Sequence, residues 1–140
     1  SDVATATNVT LAADTISVIN YTGAAAATMT LPAATAGTIV VYCQSKDTTG
    51  GTATLVFDAA GSDVFATGSV IESRASSEVT FDTSAADETK LTFTPANAAT
   101  NLLTTGGQIA FICYENATWH IATKLAAETT QVTGAFVFAA

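Results

Sequence analysis

Cationic side chains are what this sequence has least of. Lys46, Arg74, Lys90 and Lys124 are its only lysines and arginines, and His120 is its only histidine, in 140 residues. Twelve Asp and Glu residues set the formal net charge at −8 and the isoelectric point near 4.1. A nucleic-acid surface needs a basic patch to neutralise phosphates, and an anionic membrane surface needs a polybasic segment. Four scattered cations supply neither, so no nucleic-acid and no membrane partner is expected. Charged residues make up 11 % of the chain, less than half of the roughly 25 % usual for a soluble domain. Long apolar runs are missing too. Mean hydropathy is +0.40, yet no run approaches the ~18 apolar residues of a membrane helix. The high value comes from dispersed Ala and Val.

The same poverty limits chemistry. A zinc site takes about four Cys, His or carboxylate ligands at short spacings. One His and two distant Cys do not provide them. A Ser/His/Asp triad would have to use His120, but no Gly-x-Ser-x-Gly elbow accompanies it. His120 alternates away from Trp119 and Ile121, which puts it on the outer face of a strand. Asp47, Asp58 and Asp63 stand beside glycine turns without the D-x-D-x-D-G order of a calcium loop, and read as turn formers. Glu72 with Glu78, or Asp82 with Asp87, are carboxylate pairs by availability alone. There is no P-loop or dinucleotide fingerprint. The expectation is a protein with no enzymatic activity, no cofactor and no small-molecule substrate.

What the sequence does have is 29 Ala and 27 Thr. Thr is β-branched and suits a pleated, half-buried surface. Period-2 alternation predicts strands at Asn8–Leu11, Thr15–Tyr21, Thr28–Leu31, Thr38–Gln44, Thr52–Phe57, Ser69–Glu72, Glu78–Phe81, Lys90–Thr94, Gln108–Tyr114, Thr118–Thr123 and Val132–Phe138. Short strands at about ten-residue spacing indicate an all-β domain over residues 1–140, an antiparallel β-sandwich or jelly roll. Ser1–Thr7 reads as a flexible arm. Ser1 is small enough to permit loss of an initiator methionine, and trimming of a longer chain accounts for it equally well. Gly50 and Gly51 predict a hairpin across Asp47–Gly51. Gly23–Ala27 and Leu125–Thr130 are conceivable helical stretches, and Ala98–Leu103 a single helical turn. Val79–Thr83 echoes Leu91–Thr94, as two paired antiparallel strands would.

Cys43 shares alternation parity with Ile39 and Val41, and Cys113 with Ile109 and Phe111. Both are expected to point into the core as free thiols, with an inter-sheet disulfide as the alternative. Most Phe residues fall on apolar parity and read as core, not as a sugar platform. The residues 132–140 are apolar to the last position. They form either a strand of the domain's own sheet or a contact with a neighbouring subunit, with Phe136, Val137 and Phe138 as the candidate interface.

Three segments carry a resemblance. Leu31-Pro32-Ala33-Ala34-Thr35-Ala36-Gly37 leads from a strand end through a small-residue turn into Thr38–Val41. Leu55–Gly68 is similar to a central hairpin, and Gly106–Ile121, with its Trp119-His120-Ile121, to a closing hairpin. Together they resemble the β-sandwich module of tailed-bacteriophage virion proteins, most closely the head-decoration (cement) type. The resemblance implies a structural role. The protein would decorate the outer capsid surface, be made in the host cytoplasm, bridge subunits of the major capsid protein and assemble as a homotrimer. The family carries no catalytic residues. The alternative it implies is a tail-fibre or spike module recognising host glycan or protein. Beyond the family, a glycan hydrolase and a pilin-like surface subunit are the remaining readings.

Overall fold

A computed structural model describes residues 2–3, 7–48, 52–74, 79–94, 105–122 and 136–140. Thirteen strands are present among the described residues: β1 (Asp2–Val3), β2 (Thr7–Thr10), β3 (Thr15–Tyr21), β4 (Ala27–Thr30), β5 (Ile39–Gln44), β6 (Leu55–Asp58), β7 (Val64–Phe65), β8 (Val70–Arg74), β9 (Val79–Thr83), β10 (Lys90–Phe93), β11 (Gln108–Glu115), β12 (Thr118–Ile121) and β13 (Phe136–Ala139). No helix occurs among the described residues, and Gly23–Ala27 is a bend that runs into β4. Leu125–Thr130 and Ala98–Leu103 lie outside the described residues.

The strands form a six-stranded sheet (β1-β3-β5-β11-β12-β7), a five-stranded sheet (β13-β10-β6-β4-β2) and the β8-β9 pair. From β1 to β7 the chain changes sheet at every step. Strands two elements apart therefore lie side by side and parallel: β1, β3 and β5 in one sheet, β2, β4 and β6 in the other. The second half closes this coil with antiparallel additions. β10 joins β6, β13 joins β10, β11 joins β5 and β12 joins β11.

The expectation of antiparallel sheets is thus corrected, since both large sheets are mixed, and the strand order does not confirm a jelly roll. Two predicted hairpins are corrected as well. The link through Asp47 joins β5 to β6, and Leu55–Gly68 joins β6 to β7. Each crosses from one sheet to the other. Glycine frees the backbone for either route, so it marks a turn without choosing its direction. The echo of Val79–Thr83 in Leu91–Thr94 is not a pairing: β9 pairs with β8, and β10 with β6 and β13. The Gly106–Ile121 hairpin is present, with Ala117 at φ 67° in its turn. The segment expected as a flexible arm includes β1, which pairs with β3, and the start of β2.

One core joins the two sheets. The six-stranded sheet contributes Ile19, Tyr21, Val40, Tyr42, Phe65, Ile109, Phe111, Cys113 and Trp119, and the five-stranded sheet contributes Met29, Leu55, Phe57, Leu91, Phe93, Phe136 and Phe138. Aromatic rings bridge them. Phe57 meets Tyr42 at 5.1 Å and Phe111 at 5.3 Å, and Phe65 meets Phe138 at 5.5 Å, all within the range of favourable ring pairs.

One end of this core is polar. Gln44 is fully buried. Its Nε2 donates to the carbonyls of Tyr21 (2.8 Å) and Lys46 (2.5 Å), and its Oε1 accepts from the Tyr42 hydroxyl. The Tyr21 hydroxyl donates to the Ala53 carbonyl. Burial pushes the Tyr21 phenol up to about 12, and raises that of Tyr42 further, with Tyr21 and Cys43 as lesser causes.

Candidate interaction surface

The parity of β5 decides what the protein shows to its surroundings. Val40, Tyr42 and Gln44 point inward, while Ile39, Val41 and Cys43 point outward. The expectation that Cys43 is a core residue is therefore corrected. The run is apolar on both parities, and the buried Gln44 is the polar residue that the alternation would place outside. Cys113 does point inward, and burial pushes its thiol up. Both cysteines are free. They lie on opposite faces of the six-stranded sheet. Gln108, not Cys113, faces Cys43. Five residues of strand separate the two, about 17 Å at ~3.4 Å per residue, too far for a disulfide.

The neighbouring strands continue the outward row. Ile16 on β3 is in register with Val41, and Val18 with Cys43. Ala110 on β11 faces Val41, and Ile112 faces Ile39. Beyond Ile112 on the same strand, Tyr114 stands against His120 of β12, with ring centroids 4.9 Å apart. Four of the five large apolar residues exposed among the described ones lie here: Ile16 (67 %), Tyr114 (67 %), Val18 (53 %) and Ile39 (43 %). None of the outward residues of β5, of β11 from Gln108 to Tyr114, or of β3 from Ile16 to Val18 is charged at neutral pH. A hollow of about 240 Å³ opens between β3 and β5, lined by Asp14, Thr15, Ile16, Ile39 and Val41. Asp14 sits at φ 56°, and its Oδ1 accepts from the Ile39 amide, so the turn into β3 is tied to the start of β5.

The outer face of the five-stranded sheet differs. Its outward rows hold Thr28, Val56, Thr92 and Val137, then Thr30, Asp58, Lys90 and Ala139, a mixed and partly charged surface. Of the three predicted interface residues, Phe136 and Phe138 are taken up by the core, Phe136 against Phe93 and Phe138 against Phe65. Val137 alone faces outward, 45 % exposed.

The residues weighed for chemistry are dispersed. His120 is half-buried, with Nε2 enclosed and without a hydrogen-bond partner. It lines a cleft of about 380 Å³ with Asp87, Glu115 and Thr118. Asp63 accepts from the Ala34 amide (2.7 Å), and Asp47 accepts from the Thr105 amide (2.7 Å) and hydroxyl (2.9 Å). Both carboxylates hold loops together, and the Thr105 amide and hydroxyl lower the Asp47 carboxyl below its ordinary range. Among the described residues no group of three His, Cys, Asp or Glu is placed to hold a metal ion. Glu78 lies outside the described residues. No family model, curated protein or solved structure matches this chain.

Sequence reasoning missed the outer face. Its signal was present in β3 and β5, where apolar residues occupy both parities (Ile16, Val18 and Ile19; Ile39, Val40 and Val41). A strand with one solvated face would carry polar residues on one of them.

Proposed function

We propose that this chain is a structural virion protein, a β-sandwich that decorates the outer capsid surface and stabilises the shell by bridging coat subunits. The observation that carries the reading is the neutral apolar outer face of the six-stranded sheet. Contiguous exposed apolar surface on a soluble protein marks a contact with another macromolecule. A sheet of six hydrogen-bonded strands backed by an aromatic core suits a static contact. The Leu31–Val41 and Gly106–Ile121 segments, the second of which forms the hairpin the resemblance implies, add their resemblance to head-decoration proteins. The mechanism is mechanical: copies that bind only the assembled lattice shift its equilibrium toward the assembled state by mass action.

The test is particle composition. Intact virions banded on a density gradient from the source of the sequence are expected to contain the chain in amounts comparable to the coat protein, by quantitative mass spectrometry. Stripping it should lower the temperature at which the particles release DNA. Absence from intact particles overturns the proposal. Presence at only a few copies per particle, at the tail, replaces it with the fibre reading.

A further inference from the structure

We infer that the cleft beside Tyr114 and His120 takes an arginine side chain of the coat subunit that docks on the adjoining apolar face. The inference rests on the reading of that face as a coat contact and names the chemistry the partner brings to it.

The cleft lies on the same side of the six-stranded sheet as the apolar face. His120 is in register with Ile112 of that face, and it shares one parity of β12 with Thr118, opposite the buried Trp119. Val64 of β7 is in register with Thr118. All three line the cleft of about 380 Å³. The segment between β9 and β10 supplies a further wall. There the Glu88 carbonyl accepts from the Phe65 amide (2.8 Å), and the Glu88 carboxylate accepts from the Ala85 amide (2.6 Å). These bonds hold the turn that carries Asp87, at φ 63°, to β7.

Charge selects the occupant. Asp63 and Glu88, at this end of the sheets, are engaged by the backbone amides of Ala34 and Ala85. Asp87 and Glu115 both line the cleft, and among the described residues neither carboxylate makes a hydrogen bond or an ion pair. No Lys or Arg lines it. One polar atom of its wall is left over as well. His120 Nε2 is enclosed and has no hydrogen-bond partner, a condition that an added donor relieves.

Docking sharpens the demand. The Tyr114 ring lies 4.9 Å from that of His120 and belongs to the apolar row, so a partner that covers Tyr114 also covers the cleft. Two carboxylates then lose water, and left unpaired they oppose the contact. A cation from the partner removes that penalty. Arginine suits the site better than lysine, because its planar guanidinium forks onto carboxylates, stacks on rings such as Tyr114 and His120, and is weakly hydrated. The apolar face supplies burial, and the charge contact fixes where the partner sits on it.

NMR of the full chain tests the cleft directly. N-acetylarginine amide is titrated at constant ionic strength to about 50 mM, which covers dissociation constants in the millimolar range. N-acetylcitrulline amide is the neutral control of the same shape. Saturable shifts are expected at the amides of Ala66, Asp87, Thr118 and His120 with the arginine compound and not with citrulline. Asp87→Asn combined with Glu115→Gln is expected to weaken this binding at least fivefold; Asn tolerates the positive φ. The same double variant is expected to rebind stripped particles at least tenfold more weakly than the native chain. Circular dichroism and Trp119 fluorescence confirm its fold, and should it misfold, the arginine and citrulline titrations of the native chain decide alone. Equal shifts with citrulline, shifts that map elsewhere, or undiminished rebinding of the folded double variant overturns the inference. None of these results touches the virion reading, which stands or falls on particle composition.

Discussion

Replacing Gln44 with Leu is expected to destabilise the protein by about 2–4 kcal/mol. Gln44 is fully buried, and its amide serves three groups: the Tyr42 hydroxyl, the Tyr21 carbonyl and the Lys46 carbonyl. Leu has similar bulk and satisfies none of them. The Lys46 residue is exposed, so water replaces that partner. The Tyr42 hydroxyl and the Tyr21 carbonyl remain buried, and each unsatisfied group costs about 1–3 kcal/mol, partly offset by the apolar gain of Leu. Removing the stranded hydroxyl as well should recover part of the loss. The Gln44→Leu/Tyr42→Phe double variant is therefore expected to be at least ~1 kcal/mol more stable than the sum of the single effects implies. Urea titration followed by fluorescence of Trp119, the single Trp and fully buried, reads all four proteins. A loss below ~0.5 kcal/mol for Gln44→Leu, the size usual for a surface substitution, would refute the inward placement of Gln44 and with it the parity of β5.

The remaining expectations concern the core, the register and pH. Phe138→Ala should cost about 3–5 kcal/mol in the same titration, because Phe138 packs on Phe65 within the core; an unchanged midpoint would return the tail to the surface. Gln108→Cys should form a disulfide with native Cys43 under mild oxidation, since the two residues face each other across β5 and β11; peptide mass mapping that finds no 43–108 link contradicts the register. Tyr21 has a folded-state pKa raised to about 12 from 10.0. Its protonated form is the one the fold favours, so the stabilisation is full below pH 10 and is lost as pH rises toward 12. Stability should fall between these values at up to about 1.4 kcal/mol per pH unit for this group, and the fall should be shallower in Tyr21→Phe.

Local structure was largely legible in the sequence, and connectivity was not. β3 has the predicted bounds, and β5, β10, β11 and β12 agree to within two residues, because alternation and β-branched content are local properties. β7 escapes notice because two residues cannot show a period. Sheet membership depends on where a turn sends the chain, and Gly50-Gly51 or Gly61 permit a return as readily as a crossing. The coil also leaves no repeat to find. Asp2 meets Asn20, Thr7 meets Ala27, Thr15 meets Val40 and Ala27 meets Leu55, so each turn is longer than the last. The contact surface was hidden by the same apolar excess that builds the core, since Ile39, Val41 and Cys43 look like core residues until Gln44 is known to be inside.

Cys43 offers the most direct measurement of the central claim, because it is a native thiol on the proposed contact face, while Cys113 is buried in the core and serves as an internal blank. The measurement is the rate of maleimide labelling at Cys43 in the free protein and on virions, read by peptide mass spectrometry. The account predicts rapid labelling of the free protein and at least tenfold slower labelling in the virion-bound state. Equal rates in the two would show that the face stays open to solvent on the particle, and would contradict its role as the surface of assembly.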